Sequence, residues 1–168
     1  MIEVRHISKS FNGVKVLHDI SATFDAGKTN LIIGQSGSGK TVLMKSIIGI
    51  HRVDEGDILY GNSNFTSMNS KEVTNLRKEI GMLFQGSALF DSMTVEENVR
   101  FPLEMFSNKP KGEWKERVDF CLNRVGLSHA AKLYPAEISG GMQKRAAIAR
   151  AIVLQPTYLF CDEPNSGL

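Results

Sequence analysis

Short β-type runs open the chain, over residues 2–7, 14–20 and 21–24, with the turn signals Asn12-Gly13 and Asp25-Ala26-Gly27 between and after them. Such runs predict an antiparallel piece at the N-terminus. The next pattern is different. Asn30-Leu31-Ile32-Ile33 is continuously apolar, as expected of a strand covered on both faces, and a glycine-rich turn and a helical spacing over 41–50 follow it. Residues 58–60 and 80–84 are further strand candidates, and the polar stretch 70–78 between them predicts a surface helix. Thr94-Val95-Glu96-Glu97 has capping-box spacing and predicts a helix start, with Pro102 predicting its end near Phe101. Asn108-Lys109-Pro110-Lys111-Gly112 reads as a loop. A second helix carries Trp114, Val118, Cys121, Leu122 and Val125 on one face, with Gly126 as its stop. Another helix spans 139–154, its apolar stripe made by Met142, Ala146, Ala149, Ile152 and Val153. Finally Thr157-Tyr158-Leu159-Phe160-Cys161 is an apolar strand that ends on Asp162-Glu163.

The chemistry concentrates at three of these junctions. Gly34-Gln35-Ser36-Gly37-Ser38-Gly39-Lys40-Thr41 fits the phosphate-loop pattern, and it stands where that pattern needs to stand, between an apolar strand and a helix. Glycines let successive N–H groups of the 34–39 backbone, Ser36 and Ser38 included, curl toward phosphate oxygens at the positive end of the helix. Lys40 supplies a point charge for the β and γ phosphates, and the Thr41 hydroxyl is a ligand for Mg²⁺. A dinucleotide-type glycine pattern fails on spacing and leaves Lys40-Thr41 unexplained. The second junction is the strand tipped by Asp162-Glu163. An aspartate there stands at the carboxyl edge of a sheet, suited to hold Mg²⁺ directly or through water, and Glu163 is suited to act as general base toward an attacking water. Taken alone, two acids at a strand end are equally a solvated turn; beside a phosphate loop they read as a site.

The third junction is Ile138-Ser139-Gly140-Gly141-Met142-Gln143-Lys144-Arg145. A Ser-Gly-Gly segment opening a helix is itself suited to an anion, although Ser139 is also an ordinary helix cap. With Pro135 and Glu137 before it, this segment resembles the signature motif of the ATP-binding-cassette (ABC) ATPases. The resemblance covers the whole chain. It implies an α/β fold of the P-loop NTPase (RecA-like) class, with an N-terminal antiparallel β subdomain and P-loop core over 1–85, an α-helical insertion over 86–133, and the signature helix and final strand over 134–168. It implies ATP and Mg²⁺ as cofactors, and a head-to-tail pair of subunits, a homodimer, in which Ser139, Gly140 and Gly141 of one contact the γ phosphate held by the other. Phe11 looks like the aromatic that stacks on adenine, the other reading being a core or turn phenylalanine. Gln85 resembles the glutamine that senses Mg²⁺ and the attacking water, which puts it with Lys40 and Glu163 among the catalytic candidates and with Thr41 and Asp162 among the metal ligands. Asn165-Ser166-Gly167-Leu168 looks like the start of the loop that crosses the dimer interface.

One departure narrows the resemblance. Most members carry Gln directly after Ser-Gly-Gly, and here Met142 stands there with Gln143 behind it. Together with residues 83–95 and 98–103, this Met is similar to the branch that powers phospholipid trafficking, the Mla-type ATPases. Ala88-Leu89-Phe90 stands where family members receive the coupling helix of a transmembrane permease subunit; it reads either as a docking groove or as an anchor of the insertion. The alternative within the family is a soluble cassette of DNA repair or translation, which usually shows long coiled-coil inserts or tandem cassettes.

Composition adds limits. A Lys plus Arg count of 20 against 18 for Asp plus Glu announces no nucleic-acid or anionic-membrane partner. Two distant cysteines, Cys121 and Cys161, suggest neither a disulfide framework nor a zinc site. No apolar run reaches the roughly 20 residues of a membrane span. The expected location is cytoplasmic, peripheral on the cytoplasmic face of the inner or plasma membrane. At 168 residues the chain is long enough for one domain core. By the family's motif order it is expected to be the N-terminal portion of a longer cassette, since neither the interface aspartate nor the switch histidine follows Glu163, and on its own to turn ATP over poorly.

Overall fold

The computed structural model describes residues 1–107 and 110–163, in two compact units, Met1–Asn75 and Leu76–Leu168. In the first unit the N-terminal runs form one antiparallel sheet of order β2-β1-β3-β4, from β1 (Ile2–Phe11), β2 (Val14–Phe24), β3 (Glu55–Tyr60) and β4 (Ser63–Asn64). The two expected segments 14–20 and 21–24 are a single strand; Asp19, at φ +52°, takes up an irregularity without breaking it. Alternation on β1 buries Ile2 and Val4, and Ile58 and Tyr60 of β3 are buried as well. Helix α1 (Lys40–Ile47) buries Leu43, Met44 and Ile47, and the Tyr60 hydroxyl donates to the Ile47 carbonyl at 2.9 Å, which ties β3 to the helix end. Helix α2 (Ser70–Lys78) occupies the expected polar stretch.

The apolar run Asn30-Leu31-Ile32-Ile33 departs from expectation. It forms no strand, and Leu31 and Ile33 are 79% and 84% exposed. A strand's backbone polar groups are satisfied only by neighbours, and none of the described strands pairs with this run. Apolar composition specifies the wish to be covered; it does not supply the ladder.

In the second unit β5 (Ile80–Leu83) and β6 (Tyr158–Cys161) pair in parallel, Ile80 opposite Tyr158 and Leu83 opposite Cys161. Helix α5 (Gly140–Ile152) comes so close to β5 that a Cβ at Gly81 would lie 2.4 Å from the Ala151 carbonyl oxygen. Glycine is required there by space. Helices α3 (Val95–Phe106) and α4 (Lys111–Arg124) pack with α5 around Val95, Val99, Leu103, Val118, Cys121, Leu122, Ala146, Ala149 and Val153. The capping box at Thr94 forms: Glu97 N–H donates to the Thr94 hydroxyl and Thr94 N–H to the Glu97 carboxylate at 2.8 Å. The end expected at Phe101 does not occur. Pro102 lies inside α3, which continues to Phe106. An interior proline costs about 3 kcal/mol, and burying Val95, Val99 and Leu103 at about 1.5–3 kcal/mol each offsets it. Lys111 and Gly112, read as loop, form the first turn of α4; Asn108 and Lys109 lie outside the described residues. Among the described residues no helix is long and apolar enough to cross a membrane.

Candidate functional site

In the first unit the phosphate-loop segment curls as its glycines permit. Gly37 and Gly39 have φ of +79° and +90°, a region L side chains rarely adopt, and a Cβ on Gly39 would press within 3.3 Å of the Val16 carbonyl oxygen. A Cβ on Gly34 would come 2.7 Å from the Ser38 hydroxyl oxygen. Ser38 N–H closes the turn on the Gln35 carbonyl at 3.2 Å, and Leu43 N–H bonds the Gly39 carbonyl at 2.8 Å to start α1. Lys40 Nζ reaches back across the curl to the carbonyl oxygens of Gly34 and Gln35, at 2.9 and 2.8 Å. This is a cradle that fits a chain of phosphates: close backbone, an ammonium in the concavity, and Ser36 and Ser38 exposed on its rim. Thr41, the next residue, is half-buried in the first turn of the helix.

Phe11 ends β1 and is 37% exposed, so it is not a core phenylalanine. Its ring meets His51 in a T-shaped contact with centroids 5.0 Å apart, and Lys9 Nζ stands 5.4 Å from its centroid. Burial, and then the charges of Lys45 and Lys9, hold the His51 pKa below its ordinary value, which keeps the ring neutral near pH 7.

In the second unit the parallel pairing brings the carboxyl ends of β5 and β6 to one edge. Gln85 leaves that edge after β5, and Asp162 and Glu163 leave it after β6. Asp162 N–H donates to the Leu83 carbonyl at 2.9 Å, extending the ladder, and its side chain is buried. Gln85 Nε2 donates to Glu163 Oε2 at 2.8 Å. Two residues 78 positions apart in the chain therefore meet. Ser139 caps α5, its hydroxyl accepting from Met142 N–H at 3.3 Å, and Gly140 and Gly141 are exposed with open space where a Cβ would stand. Capping and anion binding use different donors of the same turn, so the two readings of Ser139 are compatible. Gln143 does not stand in for the absent glutamine: its Nε2 turns back to the Pro135 carbonyl at 2.8 Å. Lys40, Thr41 and Phe11 thus belong to one unit, and Gln85, Asp162, Glu163 and Ser139 to Gly141 to the other. Residues 165–168 of the expected interface loop lie outside the described residues.

Two residues that the sequence reading did not single out hold the segment after Gln85. Arg150 of α5 donates to the carbonyls of Ser87 and Ala88 at 3.0 and 2.8 Å, with its guanidinium 5.9 Å from the Phe90 ring centroid. Asn98, fully buried, accepts from Phe90 N–H and donates to the carbonyls of Phe90, Met93 and Thr94. Both signals were present in the pattern: an arginine beside the stripe Ala146, Ala149, Val153, and an asparagine between Val95 and Val99. Phe90 itself is 42% exposed and meets the Phe101 ring in a tilted contact with centroids 4.8 Å apart, so the 87–90 stretch is anchored to the helices and still presents an aromatic.

Known proteins are similar to this chain in sequence and in fold. The chain is 42% identical over 167 residues to the probable ribonucleotide transport ATP-binding protein mkl of Mycobacterium leprae, covering 99% of this chain and 48% of that protein. It is 40% identical over 168 residues to the methionine import ATP-binding protein MetN of Clostridium tetani, covering 52% of it. The chain thus spans about half the length of these curated relatives. Among solved structures, the dimeric structure of MJ0796, a bacterial ABC transporter cassette, superposes with a TM-score of 0.91 at 30% identity, covering 100% of this chain and 76% of that one. The family model described as ABC transporter matches residues 17–166, so this chain belongs to the ABC transporter family, in its ATP-binding domain.

Proposed function

We propose that this chain binds and hydrolyses ATP as the nucleotide-binding subunit of a transporter, pairing head to tail with a second copy and working at the cytoplasmic face of a membrane on transmembrane permease subunits. The observation that carries the catalytic part is the Gln85 to Glu163 hydrogen bond at the carboxyl edge of the β5–β6 pair. In this reading the 34–39 amides and Lys40 bind the phosphates, and Phe11 stacks on the adenine. Thr41, Gln85 and Asp162 hold Mg²⁺, which when bound neutralises charge on the β and γ phosphates. Gln85 orients the attacking water, and Glu163 accepts its proton as the new bond to γ phosphorus forms and the bond to the leaving ADP oxygen breaks. Ser139, Gly140 and Gly141 act in trans, with Met142 in place of a glutamine side chain. Segment 88–90 takes the permease contact.

Glu163→Gln in the native gene product tests the base. ATP binding should persist, dimers should accumulate, and hydrolysis should fall by roughly 100-fold or more; near-normal turnover would overturn the assignment. The finer part of the proposal is a phospholipid or other lipophilic cargo, supported by residues 83–95, 98–103 and Met142. Proteoliposomes holding the native complex should move a fluorescent phospholipid only with ATP. Movement of methionine or a ribonucleotide, the cargoes in the names of MetN and mkl, would replace that reading, and failure to co-purify with any membrane subunit would favour a soluble cassette.

A further inference from the structure

The first unit holds a second network whose members lie outside the phosphate loop and converge on Phe11. Asp54 is its centre. One carboxylate oxygen bonds Lys9 Nζ at 2.6 Å, the other accepts from Ser10 N–H at 2.6 Å, and Asp54 N–H donates to the Ser8 carbonyl at 2.9 Å. The end of β1 that carries Phe11 is therefore pinned, through Ser8 and Ser10 on one edge of the strand and through the Lys9 side chain, to the turn that follows α1. Lys9 and Ser10 together hold the Asp54 carboxyl below the usual carboxylate range, so the clamp is ionised at neutral pH. His51 belongs to the same turn, and its ring meets Phe11. Its backbone N–H, like that of Ile50, bonds the Lys45 carbonyl in the last turn of α1, at 3.1 Å. Lys45 is five residues, about 8 Å of helix, from Lys40 in the phosphate loop.

A single rigid helix thus presents the phosphate cradle at its N-terminus and, through His51, a strut to the exposed aromatic at its C-terminus. We propose that His51 is a positioning residue for nucleobase binding: its ring fixes the orientation of Phe11, with Asp54 clamping the strand behind it, so that the base platform is registered against the phosphate loop. This rests on the reading of Phe11 as the adenine-stacking residue. A flexible phenylalanine on a hairpin end would have to be ordered when the base arrives, and that ordering would be charged against affinity. Prior contact with His51 removes the cost from the base-dependent part of binding and leaves the phosphate part untouched.

The test compares ATP with inorganic tripolyphosphate, each with Mg²⁺, by calorimetry on the native gene product. His51→Ala should weaken ATP by about two- to tenfold, the size an aromatic pair contact is worth, and leave tripolyphosphate unchanged. His51→Phe should restore ATP affinity. Should the alanine variant fail to fold, His51→Gln, polar and ringless, gives the same comparison. Equal losses for both ligands, or no loss of ATP affinity in a ringless variant, would overturn the proposal. Phe11→Ala separates the two readings. If it weakens ATP selectively and the His51 variants do not, only the strut is wrong. If it changes neither affinity, adenine stacking on Phe11 falls and the strut with it.

Discussion

The phosphate-loop segment and the helical cluster are both rich in small and apolar residues, and they fold by opposite rules. Around Val95, Val99, Leu122 and Ala146 the helices close their hydrogen bonds internally, so packing alone decides how they meet. Before Lys40, segment 29–41 closes through a turn, Ser38 N–H on the Gln35 carbonyl, and not through a helical ladder. Its shape rests on the positive φ angles of Gly37 and Gly39 and on a lysine folded over carbonyl groups. Leu31 and Ile33, as apolar as anything in the cluster, stay exposed. Among the described residues, no strand pairs with this run.

That contrast is open to direct attack. Asn98→Ala should produce the largest effect, because it removes from a fully buried position the side chain that hydrogen-bonds the Phe90 N–H and the Phe90, Met93 and Thr94 carbonyls, of which Phe90 and Thr94 keep a backbone donor; a loss of about 2–4 kcal/mol is expected in chemical denaturation. Hydrogen exchange should show the damage in α3 to α5 and leave β1 and β2 protected. Damage spread equally over both units would break the comparison. Gly39→Ala should cost less, about 1–2 kcal/mol of local strain, yet weaken nucleotide binding while the helical cluster keeps its exchange protection. An unchanged nucleotide affinity would show that the loop's backbone conformation is not what makes the cradle.

The smallest effect is a matter of pH. Thr94 N–H, and then the Thr94 hydroxyl, lower the Glu97 pKa below its ordinary value. A carboxylate depressed in the folded state contributes stability above its unfolded pKa of about 4.3 and loses it as pH falls through the folded value. Fraying at the start of α3 should therefore grow on acidification below pH ~4. Glu97→Gln keeps an acceptor and removes the titration, so its acid limb should be flatter. Equal acid limbs would remove Glu97 from the account.

Much of this architecture is legible in the residue order. The Thr94 cap, the α2 stretch, the strand ending on Asp162-Glu163 and the glycine-bearing phosphate loop all depend on neighbours within a few residues, and local chemistry was enough to place them. Two of the departures share one cause. Pro102 as a helix end and 30–33 as a strand were local inferences about features that distant contacts decide: apolar packing carries α3 past its proline, and a strand without a described neighbour does not form. Arg150 and Asn98 show in a residue string only as polar residues beside apolar stripes, because their partners, loop carbonyl groups, have no signature there.

By itself, then, the order of residues determined the family motifs, the helix caps and the chemical inventory of the site, since those are properties of side-chain type and short spacing. Only the tertiary structure decided that Gln85 donates to Glu163, that α5 reaches over to hold 87–90, and that Phe11 leans on His51. Such contacts form only after the chain between them has been ordered by packing, and their geometry is set by that packing.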